Sequence, residues 1–116
     1  MLKFYHYAKC QSCVKAKKAL LDRNREFMEI DITTHPPSKA ELKSLIEKSG
    51  RPYTAFLNRS GVQYRAKNMK EEVKIRSEEE IIGMMSQDGR LIKRPIVTDG
   101  SHVTVGFDLK EFLKAW

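Results

Sequence analysis

The stretch LKFYHYAKCQSCVKAKKALLDRNREFMEIDI, residues 2–32, has the pattern of a strand, a helix and a second strand. Residues 2–7 alternate in part and are aromatic, which predicts the first strand. Residues 14–24 have helical spacing, and three of their apolar side chains are predicted to face the core: Val14, Leu20 and Leu21. Residues 26–32 alternate again, with three apolar side chains on the predicted inner face: Met28, Ile30 and Ile32. These elements form a βαβ unit, whose crossover is right-handed.

The middle of the chain is predicted to be helical. Two capping boxes, each a serine followed three residues later by a glutamate, predict helix starts: Ser38 with Glu41, and Ser77 with Glu80. The first helix should run to about Lys48 and end at Gly50, and the second should end near Asp88–Gly89. Six apolar side chains are expected to face inward from these two helices: Leu42, Leu45, Ile46, Ile81, Ile82 and Met85.

Between the two helices the pattern is weaker. Tyr53–Leu57 predicts a short helix, NRSG at 58–61 predicts a turn, and KNMKEEVKIR at 67–76 is predicted to be polar and exposed. These residues belong to a helical stretch that separates the second strand from the next strand signal.

The end of the chain predicts a hairpin and a final helix. RPIVT at 94–98 and HVTVGF at 102–107 are β-branched runs on either side of DGS, a hairpin signal. Asp108 with Glu111 predicts the last helix start, and four apolar residues form its expected buried face: Leu109, Phe112, Leu113 and Trp116. The order β-α-β, a helical stretch and β-β-α predicts an α/β protein made of one domain, residues 1–116.

The charge of the chain narrows the class of ligand. The 116 residues contain 22 Lys plus Arg and 15 Asp plus Glu, a formal net charge of +7. This balance suits an anionic small molecule or an acidic protein surface. The basic residues are scattered and no nucleic-acid recognition motif occurs, so we expect no direct nucleic-acid binding.

No apolar run approaches the ~20 residues that a membrane-spanning helix needs, so no membrane association is expected. The first residues, MLKFYHYAKC, lack the apolar core of a secretion signal. We therefore expect a cytoplasmic protein, in which a disulfide is usually transient and catalytic or redox-sensing.

Cys10 and Cys13, the only two cysteines, lie in the turn that joins the first strand to the first helix. Free amides and the helix dipole at such a turn favour negative charge, and Lys9 adds a positive charge nearby. A thiolate is the nucleophilic form of cysteine, so Cys10 is the candidate nucleophile and Cys13 is within reach to resolve an intermediate. A disulfide between Cys10 and Cys13 would close a very short loop, so it would contribute little to the stability of the fold.

Two other interpretations of the pair remain. His6, Cys10 and Cys13 have H-x3-C-x2-C spacing and could supply three zinc ligands, but a closed site needs four and no second CxxC occurs. Both cysteines could also be small, inert core residues. A CxxC beside a βαβ pattern favours a thioredoxin-like redox motif over both, and we expect no metal.

Arg94–Pro95 supports the redox interpretation. Thioredoxin-like folds place a cis-proline before the third strand beside the reactive cysteine, and this pair precedes IVT in the matching place. The sequence therefore predicts a cis peptide bond here. Arg94 would then point at the Cys10 loop, where its planar fork of donors suits an oxyanion or a carboxylate.

Five segments resemble the arsenate reductase (ArsC)/Spx family: CQSCVKA at 10–16, HPPSKAEL at 35–42, FLNRSGVQYR at 56–65, DGRLIKRPIV at 88–97 and VGF at 105–107. The resemblance covers essentially the whole chain and is nearest to the uncharacterised Spx- and YffB-related branch. It implies a thioredoxin-like fold with a helical insertion at about 36–90, between the second and third strands. It also implies a catalytic-type cysteine at Cys10.

The resemblance implies a thiol-dependent reductase. Cys10 would attack a small oxyanion or a glutathione mixed disulfide, and Cys13, glutathione or glutaredoxin would resolve the intermediate, with no tightly bound cofactor. With Cys10, Cys13 and Arg94 as the catalytic set, six residues are candidate substrate contacts: Lys9, Gln11, Ser12, Asn58, Arg59 and Pro95. Glutaredoxin-linked arsenate reductases bind arsenate with three arginines, and this chain has Asn58 and Gly106 in place of two of them.

The alternative that the resemblance implies is a redox-switched transcriptional regulator. Spx is similar in its CxxC, which acts as a disulfide switch, and it binds the C-terminal domain of the RNA polymerase α subunit. The intact Cys10–Cys13 pair keeps this alternative open, because a glutaredoxin-linked reductase could work without Cys13.

Overall fold

The computed structural model describes all 116 residues. It contains four strands: β1 (Leu2–His6), β2 (Phe27–Asp31), β3 (Ile96–Thr98) and β4 (Val103–Val105). It also contains six α-helices: α1 (Gln11–Asp22), α2 (Lys39–Ser49), α3 (Val62–Ala66), α4 (Met69–Ile75), α5 (Glu78–Gln87) and α6 (Leu109–Ala115). Short 3-10 turns lie at Tyr53–Phe56 and Gly89–Leu91. No helix is long and apolar enough to cross a membrane.

The four strands form one mixed sheet in the order β2-β1-β3-β4. β1 and β2 are parallel, and Tyr5 is paired with Ile30. β3 runs antiparallel to both of its neighbours and pairs Ile96 with Tyr5 on one side and with Val105 on the other. This topology confirms the predicted β-α-β … β-β-α thioredoxin-like order, with a helical insertion between the second and third strands.

The sheet separates two apolar cores. One face packs against α1 and α6, and its cluster has nine buried residues: Leu2, Phe4, Cys13, Ala16, Ala19, Leu20, Val97, Phe112 and Trp116. The other face packs against the insertion through Tyr5, Ile32 and Ile96, among others. The six apolar residues predicted to face inward from α2 and α5 are all buried there.

The predicted inner face of α1 is partly wrong. Leu20 is fully buried, but Val14 and Leu21 are more than half exposed. The helix instead turns Cys13, Ala16 and Ala19 to the sheet, because positions three, four and seven apart share one side of a helix. Small side chains at these positions let the helix backbone lie close to the sheet. The prediction was based on the larger apolar residues, two of which lie on the exposed side of the helix.

Two other apolar residues are also more exposed than predicted. Met28 is half exposed because β2 is an edge strand, and Leu109 is more than half exposed in the first turn of α6. The end of α6 agrees with the prediction. Trp116 is buried, and its Nε1 donates to Thr104 Oγ1 on β4 at 2.9 Å.

The insertion contains helices that the sequence pattern does not reveal. α3 lies between the segments predicted as a turn (58–61) and as polar and exposed (67–76), α4 spans most of the polar segment, and Met69 in that segment is fully buried. The prediction that the whole segment is exposed is therefore wrong at this residue. A single methionine among charged residues gives no periodicity, yet it fills the core beneath α4.

The two predicted capping boxes differ in the structure. Ser77 and Glu80 form both reciprocal hydrogen bonds at the start of α5. Ser38 accepts from the backbone N–H of Glu41, but the Glu41 carboxylate accepts from the Tyr5 hydroxyl at 2.9 Å instead of closing the box. The glutamate thus links α2 to the central strand. Gly50 ends α2 in the left-handed conformation, as predicted.

Candidate active site

Cys10 is the residue that caps the amino end of α1. The helix begins at Gln11, three residues earlier than the apolar pattern predicts, so that Cys10 is extended at the N-cap. Its Sγ accepts a hydrogen bond from the backbone N–H of Cys13 at 3.4 Å. An amide donor and the positive end of the helix dipole therefore both face this sulfur.

The two cysteine side chains have very different surroundings. Both are free thiols, but Cys10 is partly exposed and Cys13 is only 2% exposed. Burial raises the pKa of Cys13 to about 12, and a hydrogen bond with the Cys10 sulfur adds to the increase. At neutral pH Cys13 is therefore a protonated thiol, so Cys10 is the group available for nucleophilic attack.

Cys10 opens onto a cleft of about 570 Å³. Four cationic side chains line the cleft with it: Arg51, Arg59, Lys93 and Arg94. None of the four is in an ion pair. The lining contains no aspartate or glutamate. A concave site with several unpaired cations and no carboxylate is suited to an anionic ligand.

The walls of the cleft are held together by backbone hydrogen bonds. Leu57 and Ile92 form an isolated antiparallel bridge. On either side of it, the Asn58 N–H donates to the Leu91 carbonyl at 2.8 Å, and the Lys93 N–H donates to the Phe56 carbonyl at 2.7 Å. This pairing fixes the insertion beside the segment that leads into β3, so that Arg59 and Arg94 line the same cleft.

Arg94 lies close to the cysteine pair. Its guanidinium carbon is 4.9 Å from the centre of the Tyr7 ring, a cation–π arrangement, and its positive charge acts to lower the pKa of Cys13. The Arg94–Pro95 peptide bond is cis, as the sequence predicts. A guanidinium stacked on a ring keeps its N–H donors free at its edge for a ligand in the cleft.

The structure brings together some of the sequence-predicted site residues and separates others. Five line the cleft: Cys10, Ser12, Asn58, Arg59 and Arg94. Four do not: Lys9 and Gln11 are exposed outside it, and Cys13 and Pro95 are buried. Sequence reasoning missed Arg51 and Lys93. Lys93 precedes Arg94 directly and was visible in KRP, whereas Arg51 joins the cleft only through the path of the chain after α2.

His6 does not join the cysteines. Its Nε2 lies 3.5 Å from the Glu29 carboxylate, and its ring stacks on Phe4. No three His, Cys, Asp or Glu side chains converge where a metal ion could be held. The structure therefore offers the H-x3-C-x2-C spacing no set of zinc ligands.

Comparison with known proteins places the chain among relatives of the same size. The profile described as the ArsC family matches residues 5–115. The uncharacterized protein YusI of Bacillus subtilis is 50% identical over 115 residues, covering 99% of this chain and 98% of that protein. The crystal structure of a "possible arsenate reductase" from Streptococcus mutans UA159 superposes with a TM-score of 0.89 at 34% identity, covering 98% of each chain. The global transcriptional regulator Spx of Streptococcus pyogenes serotype M1 is 29% identical over 103 residues, covering 88% of this chain and 75% of Spx.

Proposed function

Because this chain belongs to the ArsC family, we propose that it is a thiol-dependent reductase in which Cys10 attacks an anionic, oxidised substrate. The observation that carries the proposal is the partly exposed Cys10 sulfur at a helix N-cap, facing a cleft with four unpaired cations. The helix end favours the thiolate and the cations attract the substrate.

The size of the cleft favours a glutathione mixed disulfide as the substrate. A volume of about 570 Å³ lies within the range of small-molecule ligand sites. A tetrahedral oxyanion is much smaller and would fill only a part of this space. Glutathione carries two carboxylates, which match a lining with several cations and no acidic residue.

In the first step the Cys10 thiolate attacks the glutathione sulfur of the mixed disulfide. A new S–S bond forms between Cys10 and glutathione, the original S–S bond breaks, and the other partner leaves as a thiolate that takes a proton from water. The Arg94 guanidinium and the amides at the start of α1 stabilise negative charge as it moves between the sulfurs.

In the second step a thiol resolves the Cys10–glutathione disulfide. When glutathione or glutaredoxin attacks the glutathione sulfur, Cys10 leaves as a thiolate and a disulfide between the attacking thiol and glutathione is released. When Cys13 attacks, glutathione leaves and a Cys10–Cys13 disulfide remains, which a further thiol must reduce. Cys13 has to lose its proton first, and burial opposes this loss. We therefore propose an external thiol as the main resolving group.

An oxyanion such as arsenate is the second substrate to test. Cys10 would displace a hydroxide from arsenic and form an S–As bond. A thiol would then attack the Cys10 sulfur and form a disulfide with it, while the electron pair of the S–As bond passes to arsenic and reduces it from As(V) to As(III). A second thiol would reduce that disulfide and restore Cys10. Arg94, with the neighbouring cations of the cleft, would hold the oxyanion.

The test uses the purified chain with reduced glutathione. A glutathionylated peptide and arsenate serve as alternative substrates, and the consumption of glutathione is followed. We expect turnover of the peptide, its abolition in Cys10→Ser, and its retention in Cys13→Ser. Serine is a preferred N-cap residue, so Cys10→Ser keeps the start of α1. If the wild-type chain reduces neither substrate faster than Cys10→Ser, the reductase proposal is wrong.

A redox-switched regulator is the second candidate. Its support is the similarity to Spx over most of the chain together with the presence of both Cys10 and Cys13 in one CxxC. Loss of two protons and two electrons to a cellular disulfide or peroxide would join the two sulfurs, draw the Cys10 sulfur towards Cys13 and so change the surface at the start of α1. The test is binding to the C-terminal domain of the RNA polymerase α subunit under reducing and oxidising conditions. Absence of binding in both states would exclude this candidate.

A further inference from the structure

Lys93, like Arg51, is a cation of the cleft that neither the cysteine motif nor the resemblance singles out. It precedes Arg94 and lines the same cleft as Cys10. Its backbone N–H is fixed by a hydrogen bond of 2.7 Å to the Phe56 carbonyl, and its side chain has no carboxylate partner. An anchored backbone with an unpaired ammonium group leaves the charge of Lys93 available to a ligand.

Gly106 is the residue on which the Lys93 side chain lies. Gly106 is buried, and its N–H donates to the Pro95 carbonyl at 2.8 Å, which holds it next to the Arg94–Pro95 segment. A Cβ atom at residue 106 would lie 2.8 Å from Lys93 Cε and 3.6 Å from its Nζ. Its φ of +78° also favours glycine. Any side chain here would push the lysine stem away.

We propose that Lys93, with its stem lying on Gly106, is a specificity-determining residue that selects an anionic substrate for Cys10. The inference rests on the proposed function. A lysine stem seated on a glycine has less freedom than one in open solvent, so its ammonium group is held at the rim of the cleft. Arg94 is stacked on Tyr7 and offers a planar fork, whereas Lys93 supplies a compact charge with three donors. The two cations can therefore contact different groups of one ligand.

The experiment compares two reagents that alkylate Cys10 and differ in charge. Iodoacetate is an anion and iodoacetamide is neutral, and both transfer their carbon to the thiolate with loss of iodide. The ratio of the rate constant for iodoacetate to that for iodoacetamide, both measured at Cys10, reports the local positive charge without requiring a substrate. One unit charge at contact distance in a solvated cleft changes such a ratio by about two- to fivefold. Added salt should reduce the ratio, because the charges are exposed.

We expect Lys93→Gln to lower the ratio by about two- to fivefold and Lys93→Arg to retain most of it. Gly106→Ala should also lower the ratio, because the added methyl group displaces the Lys93 side chain although the lysine keeps its charge. Lys70→Gln is the matched control, since Lys70 is an exposed, unpaired lysine on α4 outside the cleft. An unchanged ratio in Lys93→Gln, or a loss of equal size in Lys70→Gln, would overturn the proposal.

A second measurement separates this inference from the reductase proposal. Calorimetric titration of the Cys10→Ser chain with S-methylglutathione needs no reactive thiol. We expect Lys93→Gln in that background to weaken the affinity by about two- to fivefold, and an equal affinity would refute the role of Lys93. If Cys10 reacts with neither alkylating reagent while Lys93→Gln weakens binding, the reductase proposal fails and the anion selectivity stands.

Discussion

Cys13 permits the sharpest prediction, because its burial sets its reactivity. The pKa of the buried Cys13 thiol is raised from 9.0 to about 12. At pH 8, about one Cys13 in 10⁴ would be a thiolate in the folded chain. With the ordinary thiol pKa of 9.0, the fraction would be about one in ten. The folded chain should thus hold about 10³-fold less Cys13 thiolate than the unfolded chain.

Nucleophilicity offsets part of this difference. A thiolate of higher pKa is intrinsically more reactive, with a Brønsted slope of about 0.4–0.5, which recovers about 20- to 30-fold over three pKa units. We therefore expect Cys13 to be alkylated by iodoacetamide at least about 30-fold more slowly in the folded chain than in the same chain in concentrated urea. Shielding of the sulfur by the core slows the reaction further.

The assay is a short pulse of iodoacetamide at pH 8, with the modified cysteine assigned by tandem mass spectrometry. Cys10 in the same peptide is the internal reference and should take up nearly all of the label, because it is partly exposed. Labelling of the two cysteines at similar rates, or of folded Cys13 within threefold of the unfolded chain, would refute the assignment of Cys10 as nucleophile and Cys13 as buried thiol.

Three further predictions concern stability. The raised pKa of Cys13 means that above pH 9 the folded chain binds more protons than the unfolded chain, so stability should fall as pH rises from about 9 to about 12, by up to about 1.4 kcal/mol per pH unit. The check is the free energy of unfolding in urea, measured for wild type and Cys13→Ala over this pH range. An equal pH dependence of the two free energies would contradict the prediction. Gly89→Ala would place a Cβ 1.7 Å from the Ile32 carbonyl oxygen and should destabilise the fold by more than about 2 kcal/mol. Gly83→Ala, in an open position of α5, should instead stabilise it by about 0.5–1 kcal/mol, and thermal unfolding of both variants distinguishes the two effects.

The parts of the fold that the sequence predicts well depend on neighbours in the chain. The hairpin around DGS, the N-caps at Ser77 and Asp108 and the left-handed Gly50 all follow from contacts within a few residues. Predictions failed where a distant partner decided the outcome. The Glu41 carboxylate accepts from the Tyr5 hydroxyl, 36 residues away, instead of closing the predicted capping box. Met69 is buried in a core that its polar neighbours in the sequence did not indicate.

The candidate site shows the same division. The pattern CxxC at a strand–helix turn identified the two cysteines, and Arg94–Pro95 ahead of IVT identified Arg94 with its cis-proline. The order of reactivity within the pair depends on burial: Cys13 lies on the side of α1 that packs on the sheet, a side that small residues made hard to recognise. Lys9 and Gln11 neighbour Cys10 in sequence, yet they lie outside the cleft.

The sequence alone therefore determined the order of the strands and of the helices other than α3 and α4, the position of the two cysteines at a strand–helix turn, and the positive net charge, because each depends on local spacing or composition. Only the tertiary structure decided which cations face Cys10. The Leu57–Ile92 bridge brings the loop of Arg59 to the segment of Lys93 and Arg94, and Gly106 leaves the space in which the Lys93 stem lies. Residues far apart in the chain line one cationic cleft because backbone hydrogen bonds join the insertion to the segment before β3, and the periodicity of the sequence carries no information about such distant contacts.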